Sequence, residues 1–147
     1  MTDQILDEFI SRRDTVLIAR SCVRHTDEAV RQQCDCDRLV TFDWAESVLG
    51  QVAPGQNWIH LSSQTEILRL QSWCKEFPGR LICVTNGELV LTKLPRVERV
   101  EFWRRLLHGQ PYLQSVIVIV VVNNGAVLPP NIVDWETENR VIELTTD

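Results

Sequence analysis

Val116-Ile117-Val118-Ile119-Val120-Val121-Val122 is an unbroken β-branched run, bounded by Gln114-Ser115 before it and Asn123-Asn124-Gly125 after it. A strand with one wet face alternates apolar and polar residues, and this run does not. Uninterrupted Val and Ile of this length predicts a strand covered on both faces, the pattern of a central strand in a parallel sheet. The run is also far shorter than the roughly 20 apolar residues that a bilayer crossing needs.

Other apolar runs alternate with helical patterns on either side of it. Residues 15–20 (TVLIAR), 38–42 (RLVTF), 80–85 (RLICVT) and 140–144 (RVIEL) read as strands, and 58–61 as a short edge strand. Between them, residues 4–11 and 25–33 read as short helices. Asp43 with Glu46 forms a capping-box pattern for a helix ending at Gly50, and Ser63 with Glu66 forms another. The second opens the best amphipathic stretch, with Ile67, Leu70, Cys74 and Phe77 on one face. Pro95 opens a helix over 96–108 whose expected inner face is Val97, Val100, Trp103 and Leu107. After Asn86-Gly87, ELVLT is either the return strand of a hairpin or a turn into a helix. Strands alternating with helices predict an α/β fold, a three-layer sandwich on a mostly parallel sheet, in one domain spanning 1–147.

At 147 residues the chain can bury a real core. Its formal net charge of -5 argues against a nucleic-acid or anionic-membrane partner, since both select a basic surface. Residues 1–9 (MTDQILDEF) lack a basic head followed by an apolar run, so no signal peptide is expected. Five irregularly spaced cysteines fit thiols in a reducing cytoplasm better than a disulfide framework.

Tests for chemistry mostly fail. A phosphate loop needs glycines for backbone approach and a lysine for charge. After the first strand the chain offers Ser21-Cys22-Val23-Arg24-His25-Thr26, and neither of its lysines, Lys75 and Lys93, follows a glycine. No G-x-G-x-x-G is present, so a dinucleotide site is unsupported. Cys74 and Arg80 match C-x5-R, but the cysteine falls near a helix end, where no helix N-terminus activates a thiolate. Cys22, His25, Cys34 and Cys36 are four soft ligands in one stretch and offer a candidate zinc or redox site, although structural zinc usually takes C-x2–4-C pairs. The alternative is a cysteine after a buried strand and a CDC surface turn. His108 suits a helix C-terminus without any catalytic role. Trp44, Trp73 and Trp103 lie on apolar helix faces and read as core. Trp58 and Trp135 fall in edge or loop positions, where aromatics are either partial core or anchors for a partner, and with His60 of the edge strand they are the candidate partner-binding residues. No catalytic residue and no cofactor is expected.

The order of DTVLIAR, RLVTFDWAESVLG, RLICVTNGEL, FWRRLL, VIVIVVVNN and RVIELTTD resembles the degenerate, P-loop-less N-terminal AAA-like domain of cyanobacterial and plastid AAA proteins. The resemblance implies the sheet of an additional-strand NTPase, with 116–122 beside 15–20. It implies Asn86 where a metal-binding acid would stand, and Glu88 as the only nearby acid. Such a copy is expected to bind rather than catalyse. The chain is also similar in type to stand-alone assembly factors for the β-carboxysome shell, which implies a chaperone-like protein that holds a shell-protein tail. A nucleotide-sensing domain without hydrolysis is a further alternative.

Overall fold

The computed structural model describes residues 16–21, 39–56, 60–108, 113, 115–122 and 127–143. Among these residues five strands, β1 (Val16–Ser21), β2 (Leu39–Asp43), β3 (Leu81–Thr85), β4 (Val116–Val122) and β5 (Val141–Glu143), form one sheet in the order β2-β3-β4-β1-β5. Every pairing is parallel. The fold is α/β, as the alternation of strands and helices predicts. β4 is the middle strand, and none of Val116 to Val121 is more than 6% exposed. Each such side chain contributes about 1.5–3 kcal/mol on leaving water.

Both faces of β4 are buried, in two separate clusters. Ile117, Ile119 and Val121 join Ile18, Ile82 and Val84 in the larger one. Val116, Val118 and Val120 join Leu17, Ala19, Cys83 and Ile142 in the other.

The described helices are α1 (Trp44–Leu49), α2 (Ser63–Glu76), α3 (Gly87–Leu91), α4 (Arg96–Leu107) and α5 (Ile132–Thr137). All five contribute to the larger cluster. The crossovers β2 to β3, β3 to β4 and β4 to β5 all step the same way across the sheet, and right-handed crossovers then set their helices on one face. The expected helices at 4–11 and 25–33 lie outside the described residues. No described helix is long and apolar enough to cross a membrane.

Several details differ from the sequence expectations. The Ser63–Glu66 capping box is one residue out of register: Ser62 is the N-cap and Thr65 its reciprocal partner. That leaves Glu66 for a buried role, described below. Helix α4 buries Trp103 and Leu107 as expected, together with Phe102 and Leu106, but leaves Val97 79% exposed and Val100 also outside. The i,i+3 spacing of small valines is overridden by a larger aromatic pair, whose burial is worth more. ELVLT is helical, as α3, and Asn86 in the left-handed region (φ 57°) turns the chain from β3 into it. His60 and Leu61 are irregular, not strand. Trp135 sits on a helix rather than in a loop.

Candidate functional site

An apolar cleft of about 760 Å³ opens between α1, residues 52, 56, 60 and 61 before α2, and α3 with the turn that follows it. Its volume lies within the range of about 300–1,000 Å³ typical of binding pockets. Ala45, Val48 and Leu49 come from α1, Val52 and Leu61 from the intervening chain, and Leu89 and Val90 from α3. The polar groups that line it are Gln56, His60 and Lys93. Leu49 is 68% exposed and Leu89 47%, so both stand out of the core.

Three devices hold these walls in place. Gly87 lets α3 approach α1, since a Cβ there would lie 3.0 Å from Trp44 Cε3. Trp44 is in turn anchored by a buried carboxylate: its Nε1 donates to Glu66 Oε1 at 2.8 Å. Glu66 also accepts from Thr65 Oγ1 at 2.8 Å and from Arg69 Nε at 2.9 Å. Arg69 extends the network by donating to Gln51 Oε1 at 2.9 Å, which ties the chain after α1 to α2. The third device is Glu98 of α4, whose carboxylate accepts from the Ser63 backbone N–H at 2.8 Å, at the first turn of α2. That bond holds the Glu98 carboxyl below its ordinary range, with His60 adding a smaller attraction.

The carboxyl edge of the sheet is the other place to look for chemistry, because ligands of parallel α/β sheets bind there. Its acids are engaged with the chain. Asp43 Oδ1 accepts from the Glu46 N–H at 2.9 Å, capping α1, and its Oδ2 accepts from Asn86 Nδ2. Glu88 Oε1 accepts from the Val122 N–H at 2.9 Å. Glu88 Oε2 is buried with no hydrogen-bond partner among the described residues. The ends of β2, β3 and β4 are thus tied together by Asp43, Asn86 and Glu88. Arg20, at the end of β1, is held by Glu143 and by Glu136. Among the described residues this edge is predominantly acidic, which opposes a phosphate rather than cradling it.

Of the candidate partner-binding residues, His60 lines the cleft. Trp58 lies outside the described residues. Trp135 is fully buried, stacked edge-on against Trp103 and covered by the Arg140 guanidinium 4.4 Å from its ring centre. It is core, not a surface anchor, because α5 turns it onto the helical layer. Trp44, Trp73 and Trp103 are buried as expected. The metal candidates Cys22, His25, Cys34 and Cys36 all lie outside the described residues. Cys74 is buried within α2, and Arg80 is exposed beyond its end, so the C-x5-R spacing builds no thiolate site.

Sequence reasoning missed Leu49, Leu89 and Lys93. Leu49 reads as part of the helix that ends at Gly50, and Leu89 falls in the ELVLT stretch whose conformation the sequence leaves open; only the packing of α1 against α3 brings them to one surface. No protein-family model and no curated protein matches the sequence.

Proposed function

We propose that the protein is a non-enzymatic binding module that holds an apolar segment of another protein and assists its assembly. The observation that carries this reading is the cleft, with Leu49 and Leu89 exposed beside a mainly aliphatic lining. Large apolar side chains gathered at one surface concavity favour a partner that removes them from water.

The carboxyl edge supports the same reading from the other side. β4 lies between β1 and β3, an order that suits the NTPase-like scaffold implied by the resemblance. Asp43, Asn86 and Glu88 tie chain to chain there instead of facing a nucleotide. Cys74 and Cys83 are buried thiols, which suits the cytoplasm. The resemblance to shell assembly factors puts a shell-protein tail first among the segments to try.

The test is affinity capture from a lysate of the source cells, using the full chain and its Leu49→Asp/Leu89→Asp variant as baits. A protein retained by the first and lost by the second supports the reading. Identical captures by both baits overturn it. So does ATP turnover by the purified protein that disappears in Glu88→Gln.

A further inference from the structure

We propose that the segment taken by the cleft is apolar with an acidic residue at its edge, and that its carboxylate pairs with Lys93. The inference rests on the docking reading above and names the chemistry of the partner.

Charge complementarity singles out this occupant. The chain carries 20 acidic and 15 basic residues, yet no Asp or Glu is among the described residues that line the cleft. The lining contains Lys93 and His60 instead. The Glu98 carboxylate, engaged by the Ser63 N–H, attracts His60 only weakly. Lys93 is exposed and makes no ion pair with another described residue. It follows the C-terminus of α3, where the helix carbonyls favour a cation.

A segment seated against Leu49 and Leu89 would partly desolvate Lys93. With no carboxylate to meet it, that ammonium would lose water for nothing. A basic segment would be repelled as well. An acid beside the apolar side chains satisfies both, so the cleft discriminates among apolar segments by charge. The exposed face of α4 around Val97 and Val100 offers no such contrast, since Arg96, Glu98 and Glu101 line it with both signs.

The experiment selects displayed random 12-residue peptides on the immobilised full chain. Enriched sequences are then titrated as labelled synthetic peptides by fluorescence anisotropy. The titrations use the wild type, Lys93→Glu and Leu49→Ser/Leu89→Ser, each checked by circular dichroism. The expected winners combine two or more large aliphatic or aromatic residues with an Asp or Glu. Lys93→Glu should weaken them about three- to tenfold, the range for losing an exposed ion pair and gaining a repulsion. Changing the peptide acid to Lys should restore binding to that variant. Binders that depend on Leu49 and Leu89 but carry no acid, or ignore Lys93→Glu, overturn this inference and leave the docking reading standing. No enrichment, or binders indifferent to Leu49→Ser/Leu89→Ser, overturns both.

Discussion

Replacing Glu66 by Ala removes a fully buried carboxylate that three neighbours share: Trp44 Nε1, Thr65 Oγ1 and Arg69 Nε, all within 2.9 Å. Trp44 has no exposed surface, so its indole N–H would be left unsatisfied, at about 1–3 kcal/mol. Arg69, with a side chain only 10% exposed, would lose its counter-charge. Breaking a buried pair from one side costs about 3–5 kcal/mol. Arg69 keeps Gln51 and some access to water, so about 3–4 kcal/mol is expected. In a urea titration with a slope of about 2 kcal/mol per molar, the midpoint should fall by about 1.5–2 M. Glu66→Gln keeps an oxygen for Trp44 but not the charge, and should lose about half as much. Paired with Trp44→Phe in a double-mutant cycle, Glu66→Gln should show a coupling of about 0.5–3 kcal/mol. A midpoint shift for Glu66→Ala below about 0.3 M, with an unchanged slope, would refute the reasoning. The same variant should weaken binding at the cleft, because Arg69 and Gln51 position the chain after α1.

Gly87→Ala places a methyl group 3.0 Å from the Trp44 ring, and overpacking at a ring held in place should cost about 1–3 kcal/mol in the same titration. Arg140→Met removes donors from the carbonyls of Val16, Leu106 and Leu107, and leaving buried acceptors unpaired should cost about 3 kcal/mol or more. The lowered Glu98 carboxyl contributes stability that is fully present above its ordinary value of 4.5 and is lost as pH falls through the lowered one. Stability of the wild type and Glu98→Gln, measured by urea unfolding at successive pH values, should therefore differ most near neutrality and converge in acid.

Local patterns were most legible where one residue type dominated a stretch. Val116 to Val122 predicts its own double burial, and Asp43 caps α1 where the capping pattern puts it. Legibility fell where two local solutions differ little in energy. Ser62 and Ser63 are both competent caps, with Thr65 three residues after the first and Glu66 three after the second. Only the buried demand of the Trp44 indole takes Glu66 out of the capping box. Likewise Val97 and Val100 fit a helical stripe, but the rings of Phe102 and Trp103 set the rotation of α4. Trp135 reads as an edge or loop residue, yet α5 begins at Ile132 and carries the ring into the core.

By itself, the sequence determined that this is an α/β protein built on a buried parallel strand, without the glycine–lysine pattern of a phosphate loop. Those properties follow from periodicity and from residue types that the chemistry requires, and both are local. The strand order and the meeting of Leu49, Leu89 and Lys93 at one cleft were decided by the tertiary structure. So was the tying of three strand ends by Asp43, Asn86 and Glu88. Each joins residues far apart in the chain, and their proximity comes from the same-handed crossovers and from the fit of Gly87 against Trp44.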